Sequence, residues 1–422
     1  MADYMDKLSI LIVAPNTSSA LGGEAFLPFK YFQLLRARGV DVRLVTHSRN
    51  RGNLQAAFPD HQQLIHYIED TALLRTIARS GRKVPEPVRS IVFGTALNFV
   101  YENMQSRMIR RVLAESSVDV IHQPIPVSPR IPSSLYGFGI PVVIGPMNGG
   151  MSYPEGYDEF VSARARGFIS VTRLLAIALN RLIPGKRRAA ALLVANERTR
   201  AALPVSHPNV IELVENGVDL SIWTSAPEHH RPRLPSDPFR LVYLGRLVGW
   251  KAVDITLKAV FLARQSGRDV RLDIIGNGIE RAALEALTQS LSLETSVRFW
   301  GFQTQNACAS ILGESDALIL NSLYECGGAV VLEAMSLGLP VIASDWGGPV
   351  DYLDKRCGIL VAPVPRESFA QRLADAIVHL ADDPERASAM GEAGRTKAVT
   401  QFDWDKKVDK ILSIYNSLMS SV

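Results

Sequence analysis

Glu325 and Glu333 place two carboxylates eight residues apart around a pair of glycines. Ionised carboxylates only accept hydrogen bonds, which suits them to the hydroxyl groups of a ligand. An apolar run over residues 317–320 precedes them, a helix-like run over 329–337 carries the second glutamate, and another apolar run over 339–343 follows. This order predicts a strand, a loop, a helix and a second strand of an α/β sheet. Ligands of such sheets lie beyond the carboxyl ends of the strands, which is where the loop carries Glu325.

The loop between the two glutamates contains the residues that a close approach to a ligand requires. Gly327 and Gly328 have no side chain, so the backbone at these positions can come near a bound group. Ala329 begins the predicted helix, whose first turn offers free backbone N–H groups to an anion. The alternative is a solvated loop acid, a surface helix acid and an ordinary turn, and each residue taken alone is more often that.

Arg246 and Lys251 form a second candidate site. The predicted strand over 239–245 ends just before them, so both cations follow the carboxyl end of a strand. Two cations that converge at such a place can bind a diphosphate, because they supply both positive charge and hydrogen-bond donors. The alternative is a basic loop with surface charge, and the two residues by themselves leave both interpretations open.

Three features of the first half of the chain occupy comparable positions. Gly22 and Gly23 follow the first predicted strand and open a helix over 26–38, where backbone N–H groups can face an anion. His122 ends another predicted strand, although a lone histidine at a strand end is usually structural. The loop over 145–150 follows a further strand, and it either lines a binding site or simply turns the chain.

The segment from Glu325 to Glu333 resembles the E-x7-E segment of the retaining glycosyltransferases of family 4, which have the GT-B fold. Further motifs match in the same order, so the resemblance covers nearly the whole chain. It implies that Arg246 and Lys251 bind the diphosphate of a nucleotide-sugar donor. It also implies that Glu333 binds the ribose of that donor and that Glu325 holds hydroxyls of its sugar.

The resemblance extends to residues outside these two pairs. It implies that His122 lies against the donor sugar near the reacting carbon, and that the loop with Gly301 and Phe302 contacts the base. The catalytic residues it implies are His122, Glu325, Arg246 and Lys251. The donor-binding residues it implies are Gly22, Gly23, Arg246, Lys251, Gly301, Phe302, Glu325, Gly327, Gly328, Ala329 and Glu333.

This chain departs from the family pattern next to the first glutamate. The family usually has an aromatic residue where this chain has Gly327, and a small residue where it has Cys326. These departures concern the sugar that is recognised more than the reaction. The resemblance implies a retaining hexosyltransferase that uses a UDP- or GDP-sugar and an acceptor hydroxyl, in the synthesis of cell-surface polysaccharide, glycolipid or a related glycoconjugate.

We expect neither a cofactor nor a metal ion. Asp403 and Asp405 look like an acidic metal-binding pair, but they precede a predicted helix and are expected to cap it. Two other functions remain as alternatives, a nucleotide-sugar epimerase on a similar fold and a nucleotide-sugar-binding protein without catalysis. A dinucleotide-dependent oxidoreductase is disfavoured because Gly276 and Gly278 are followed by Arg281 where the third glycine of the fingerprint belongs.

A chain of 422 residues suits two domains. The alternation of predicted strands and helices restarts after a segment over 224–238 that is rich in Pro, Ser and His and is expected to be a linker. We therefore predict the α/β fold class with two doubly wound, Rossmann-like domains that face each other across a cleft. The N-terminal domain is expected over 1–213 and the nucleotide-sugar-binding domain over 214–403, with a helix over 404–422 that packs back on the first domain.

Positive charge is concentrated in the first half of the chain. Residues 1–220 contain 25 Lys and Arg against 18 Asp and Glu, and residues 161–200 contain nine against one. Together with the apolar residues of 161–190, this predicts peripheral binding to an anionic membrane, whereas an ordinary surface helix is the alternative. No motif with interleaved aromatic residues indicates nucleic acid. Three cysteines without a paired spacing predict a cytoplasmic protein.

Overall fold

The computed structural model describes residues 8–19, 23–81, 94–157, 174–224 and 237–420. The chain divides into two compact units, which are treated separately below. Unit 1 comprises Met1–Gly150, Ser170–Glu215 and Val408–Val422. Unit 2 comprises Met151–Ile169 and Asn216–Lys407. Each unit is built around a parallel sheet with helices, so the predicted α/β class with doubly wound sheets is confirmed.

Unit 1 has a parallel sheet that contains seven strands within the described residues. The strands are β1 (Ser9–Val13), β2 (Asp41–His47), β3 (Ile65–Ile68), β4 (Val120–Gln123), β5 (Val142–Met147), β6 (Ala191–Val194) and β7 (Val210–Glu212). Their order is β3-β2-β1-β4-β5-β6-β7, which reverses direction between β1 and β4. All five residues of β1 are buried, as expected for a strand with both faces covered.

The helices of unit 1 lie between these strands. They are α1 (Phe26–Ala37), α2 (Arg51–Ala57), α3 (Ala72–Gly81), α4 (Gly94–Glu115), α5 (Gly185–Arg188) and α6 (Glu197–Ala201), and residues 174–182 are also helical. Helix α1 ends where the sequence predicts, because Gly39 adopts a φ of 77° that a residue with a side chain rarely adopts.

Unit 2 has a second parallel sheet, with six strands within the described residues. The strands are β8 (Phe239–Leu244), β9 (Val270–Ile275), β10 (Val297–Gly301), β11 (Ala317–Leu320), β12 (Val341–Ser344) and β13 (Gly358–Val361). The helices are α7 (Val253–Gln265), α8 (Arg281–Ser290), α9 (Gln305–Gly313), α10 (Ala329–Ser336), α11 (Pro349–Tyr352), α12 (Phe369–Asp382) and α13 (Pro384–Lys397). Helix α14 (Trp404–Met419) begins in unit 2, and its residues from Val408 onwards belong to unit 1. The strand order β10-β9-β8-β11-β12-β13 reverses between β8 and β11.

The structure adds strands that the sequence patterns did not predict, namely β3, β6 and β13. It also places the change of unit between Glu215 and Asn216, two residues after the expected boundary. Residues 151–157, expected in the N-terminal domain, belong to unit 2. Most of the predicted linker, residues 225–236, lies outside the described residues.

Candidate active site

The candidate residues of unit 2 lie at the point where the strand order of its sheet reverses. Arg246 and Lys251 follow β8, and Glu325 follows β11, the neighbouring strand on the other side of the reversal. In open α/β sheets this switch point leaves a crevice beyond the carboxyl ends of the strands, and ligands bind there. The sheet thus brings together residues that are far apart in the sequence.

Lys251 and Glu325 form an ion pair between Lys251 Nζ and Glu325 Oε2. Only 13% of the lysine side chain and 15% of the glutamate side chain is exposed. Ser322 Oγ also donates a hydrogen bond of 3.5 Å to the same carboxylate oxygen. Because the pair is largely withdrawn from water, its attraction is screened less than that of a surface pair.

Arg246 is exposed, and its guanidinium carbon lies 5.9 Å from the centroid of the Trp250 ring. The carbonyl oxygen of Arg246 accepts a hydrogen bond of 3.2 Å from the buried Tyr243 hydroxyl. Burial raises the pKa of Tyr243 far above its usual value, and the negative charge of Glu325 raises it further. Tyr243 therefore stays neutral and acts as a fixed support beneath the cationic loop.

The two loops are also tied together through Ala252, which adopts the left-handed conformation with a φ of 52°. This backbone conformation is unfavourable for a residue with a side chain and needs support from its surroundings. Asn321 supplies that support, because its amide donates to the Ala252 carbonyl oxygen at 2.9 Å while its own oxygen accepts from Thr256 Oγ1 at 2.6 Å. The backbone N–H of Leu323 donates to the Trp250 carbonyl oxygen at 2.8 Å.

The glycines of the Glu325 loop are required by its geometry. Gly328 precedes helix α10 with a φ of 81°, and a Cβ there would lie 3.2 Å from Glu325 Cγ. A Cβ on Gly348, in the loop after β12, would lie 2.2 Å from the Gly327 carbonyl oxygen. Side chains at these positions would push the loop and Glu325 out of place, so the glycines serve close packing as well as access.

Glu333 lies on helix α10, which begins at Ala329, and its side chain is partly buried. Burial raises the pKa of this carboxyl to about 7. The thiol of Cys308 has a pKa raised to about 11 by burial and by the negative charge of Glu333. Among the described residues, the Glu333 carboxylate has no hydrogen-bond or ion-pair partner, so its acceptor capacity is available to a ligand.

The loops after β9 and β10 complete the carboxyl edge. Gly301 has a φ of 69°, and Phe302 beside it is 78% exposed. Gly276 and Gly278, which begin the incomplete dinucleotide fingerprint, pack against the Arg246 loop. A Cβ on Gly276 would lie 2.0 Å from the Gly245 carbonyl oxygen. These two glycines therefore hold the cationic loop in place, a role that the local sequence pattern did not indicate.

The candidate residues of unit 1 also lie at a strand-order reversal, since Gly23 follows β1 and His122 lies in β4. Gly23 has a φ of 56° in the turn before helix α1, whereas Gly22 lies outside the described residues. The loop over 145–150 is anchored by Asn148, whose amide donates to the Glu215 carboxylate at 2.8 Å.

His122 is fully buried. Its Nε2 lies 2.6 Å from the Gly145 carbonyl oxygen, which can only accept, so Nε2 carries the proton. Its Nδ1 then accepts from the Tyr415 hydroxyl at 2.7 Å, and the Tyr31 ring meets it edge-on with centroids 5.1 Å apart. The expected contact with a donor sugar would require one of these hydrogen bonds to open.

Asp403, near the C-terminus, makes the predicted helix-capping contact. Asp403 Oδ1 accepts a hydrogen bond of 3.1 Å from the backbone N–H of Asp405, at the start of helix α14. Within the described ranges, no group of three or more His, Cys, Asp or Glu side chains is placed to hold a metal ion.

Residues 225–397 match the model of the family described as "Glycosyl transferases group 1". These residues are similar to the group 1 glycosyltransferases. The chain is 32% identical over 246 residues to the D-inositol 3-phosphate glycosyltransferase of Gordonia bronchialis, covering 54% of this chain and 53% of that protein. It is 28% identical over 241 residues to the alpha-D-kanosaminyltransferase of Streptomyces kanamyceticus, covering 55% and 61%. The chain thus spans just over half the length of these curated relatives.

Solved glycosyltransferase structures match the chain over more of its length. Anabaena HepE in complex with UDP superimposes with a TM-score of 0.67 at 17% identity, covering 97% of this chain and all of that one. The glycosyltransferase WaaG, involved in lipopolysaccharide biosynthesis, gives a TM-score of 0.58 at 18% identity, covering 96% of this chain and 99% of that one. These neighbours are GT-B proteins, so the predicted GT-B fold is confirmed.

Proposed function

We propose that this protein is a group 1 glycosyltransferase, which moves a hexose from a nucleoside diphosphate sugar to an acceptor hydroxyl. The main observation behind the proposal is that Arg246, Lys251 and Glu325 all lie at the switch point of the unit 2 sheet, where Lys251 pairs with Glu325. The UDP bound in the Anabaena HepE structure supports a UDP-sugar, and GDP-sugars form the second class to test. Cell-surface polysaccharide, glycolipid or a related glycoconjugate is the proposed product.

In the proposed reaction, Arg246 and Lys251 neutralise the charge that develops on the departing diphosphate. Glu325 accepts hydrogen bonds from the donor sugar, and Glu333 accepts them from the ribose. The bond between the sugar and the phosphate oxygen breaks as the acceptor oxygen attacks from the same face, and the departing phosphate takes the acceptor proton. The anomeric configuration is thereby retained, and the step needs no metal ion. His122 is buried in unit 1, and its hydrogen bond to the Gly145 carbonyl oxygen positions the backbone of the neighbouring loop.

A second part of the proposal concerns the membrane. The helix over 174–182 exposes Leu174 and Leu182, by 69% and 78% of their surfaces. Its Asn180 donates to the Arg130 carbonyl oxygen at 2.9 Å, which joins it to a loop with exposed Ile131 and Tyr136. We call the surface formed by these residues and by Arg181, Arg187 and Arg188 the basic apolar surface.

Exposed apolar side chains next to several arginines suit an anionic lipid surface. Lys186, which the sequence placed among these cations, is instead buried and donates to the Pro129 carbonyl oxygen, and burial lowers its pKa to about 7. Arg164, Arg166, Arg173, Phe168 and Ile169 lie outside the described residues. None of the helices in the part of the chain that the structure describes has the length and hydropathy needed to span a bilayer. On the basis of the exposed apolar side chains and arginines of the basic apolar surface, we propose peripheral binding to the membrane from the cytoplasm.

A donor screen tests the enzymatic proposal. UDP- and GDP-hexoses are incubated with the protein, with and without acceptor hydroxyl compounds, and free nucleotide and sugar products are analysed by mass spectrometry and NMR. We expect a glycoside with the anomeric configuration of the donor, in the presence of chelator. A sugar isomer formed without acceptor would instead indicate an epimerase, and saturable binding without any product would indicate a binding protein.

The cationic loop provides the matching mutational test. We expect Arg246→Ala and Lys251→Ala each to lower turnover by roughly 10²–10³, the scale of losing one preorganised charge-stabilising donor. Arg271→Ala is the control, because Arg271 is an exposed arginine in β9 of the same unit. Turnover close to wild type in both loop variants would contradict the diphosphate assignment.

A further inference from the structure

Residues 151–157 lie across the carboxyl edge of the unit 2 sheet, although they come from the first half of the sequence. Trp346 Nε1 donates to the Ser152 carbonyl oxygen at 2.9 Å, Tyr157 donates to the Pro363 carbonyl oxygen at 3.0 Å, and Arg366 donates to the Gly156 carbonyl oxygen at 3.1 Å. These partners follow β12 and β13. The segment, here named the crossing segment, is therefore fixed at the edge where ligands of such sheets bind.

The crossing segment supports the Glu325 loop at two points. The Tyr153 ring packs on the Tyr324 ring, with centroids 5.0 Å apart and planes at 31°. Met151 packs against Gly347, where an added Cβ would lie 2.4 Å from Met151 Cε and 2.5 Å from the Glu325 carbonyl oxygen. The same carbonyl oxygen accepts a hydrogen bond of 2.7 Å from the Gly348 N–H.

These contacts matter because the Glu325 loop is otherwise rich in glycine. Gly327 and Gly328 directly follow the segment that contains Glu325, and glycine leaves the backbone free to adopt many conformations. A carboxylate that selects among sugar hydroxyls must be held in one place, and residues packed around a site supply that rigidity. The contact of Tyr153 with Tyr324, the residue before Glu325, supplies such support to the backbone of the loop, in addition to the contacts of Lys251 and Ser322 with the carboxylate itself.

We propose that Tyr153 is a positioning residue for donor-sugar recognition, which it achieves by packing on Tyr324 and so fixing Glu325. This inference rests on the proposed function, in which Glu325 binds the sugar. It predicts that the crossing segment affects recognition of the sugar much more than binding of the nucleotide, since the tyrosine contact is made on the loop after β11 whereas Arg246 and Lys251 lie in the loop after β8.

The test compares Tyr153→Ala and Tyr153→Phe by titration calorimetry with UDP and UDP-glucose, or with GDP and GDP-mannose if the wild-type protein binds that pair. Aromatic pairs contribute about 0.5–1.5 kcal/mol. The advantage of the nucleotide sugar over the nucleotide, which is the ratio of their affinities for the protein, should therefore fall about 2- to 10-fold in Tyr153→Ala. The affinity for the nucleotide alone should stay within about twofold. Tyr153→Phe keeps the ring and should behave as wild type.

Two further variants make the result specific. Tyr153→Leu keeps an apolar side chain but no ring, and should repeat the loss even if Tyr153→Ala folds poorly. Tyr67→Ala removes a partly exposed tyrosine in β3 of unit 1 and should change neither affinity. Enzyme kinetics give a second measurement. The kcat/KM values for UDP-glucose, UDP-galactose and UDP-N-acetylglucosamine should differ less from one another in Tyr153→Ala and Tyr153→Leu than in the wild-type protein.

An unchanged advantage of the nucleotide sugar in Tyr153→Ala and Tyr153→Leu would overturn the inference. An equal loss for nucleotide and nucleotide sugar would also overturn it, because it would indicate general damage to unit 2. If the wild-type protein binds neither UDP nor GDP, the proposed function itself fails, which is a separate outcome.

Discussion

Lys251 and Glu325 pair with each other in the structure, and in the proposed mechanism each of them also contacts the donor. A diphosphate that binds Lys251 must compete with the Glu325 carboxylate, to which the lysine is already paired. Arg246 has no ion-pair partner among the described residues, so it is the cation that meets an incoming diphosphate without competition. The donor then exchanges one ion pair for another, and Glu325 becomes available to sugar hydroxyls.

This exchange predicts that removing the Glu325 carboxylate raises the affinity for free UDP. In Glu325→Gln the competing charge is gone, so free UDP should bind about tenfold more tightly while turnover falls. That gain, about 1.4 kcal/mol, is well under the roughly 4 kcal/mol between unit charges 4 Å apart at an effective dielectric constant of 20. Calorimetry with UDP measures it. Asp254→Asn is the control, since Asp254 pairs with exposed Lys258 rather than with Lys251, and equal gains in both variants would contradict the exchange.

The proposed role of Glu333 predicts that binding of the donor depends on pH. Its pKa of about 7 is set by burial, and hydroxyl donors from a ribose stabilise the ionised carboxylate, which lowers the pKa in the complex. Binding of the donor is therefore strongest at pH values well above 7 and weakens as the pH falls through 7. Between pH 8 and pH 6 the affinity for UDP-glucose should fall about tenfold. UDP-glucose suits this titration because its phosphates do not take up a proton in this range.

Glu333→Gln is the matching variant. It should bind UDP-glucose more weakly at pH 8, by about 1–3 kcal/mol, because hydrogen bonds to a charged acceptor are lost. Its affinity should also stay constant between pH 6 and pH 8. A pH dependence identical to wild type would show that another group titrates and that Glu333 does not bind the ribose.

At the scale of elements, helix α14 contributes to unit 1 through Tyr415. The Tyr415 hydroxyl and the His122 ring form a buried hydrogen bond between residues that are 293 positions apart. Tyr415→Phe removes this buried hydrogen bond, which costs about 1–3 kcal/mol. Scanning calorimetry should show a lower Tm, whereas Tyr136→Phe, at a partly exposed position, should leave it unchanged. An unaltered Tm in Tyr415→Phe would mean that the helix is held by its apolar residues alone.

At the scale of the whole molecule, the basic apolar surface predicts binding to anionic vesicles. The protein should co-sediment with phosphatidylglycerol vesicles at low salt and be released at high salt, since each basic residue near the surface contributes about 1 kcal/mol of screened attraction. Arg187→Glu with Arg188→Glu should weaken this binding strongly, and Leu182→Ser should weaken it at all salt concentrations. Leu73→Ser, at an exposed leucine elsewhere in unit 1, is the control. Equal binding by all variants, or none by the wild type, would contradict the membrane proposal.

The sequence by itself determined the class of sheet and the loops that carry the candidate residues. Runs of apolar residues marked most strands within one or two positions, because a strand covered on both faces shows as a continuous apolar segment. Strands β3 and β6 were not predicted, because four-residue apolar runs without clear flanking turns resemble other buried segments. Glu325, Glu333, Arg246 and Lys251 became candidates because they lie after such strands or between two of them.

Only the tertiary structure decided which side chains meet. Lys251 and Glu325 are separated by 74 positions, and it is the neighbouring placement of β8 and β11 that pairs them. Likewise, no local pattern reveals that Lys186 turns inward beside the exposed Arg187 and Arg188, or that the crossing segment belongs to unit 2 and supports the Glu325 loop. Local propensity acts over a few residues, whereas burial and pairing depend on the packing of segments that are distant in sequence.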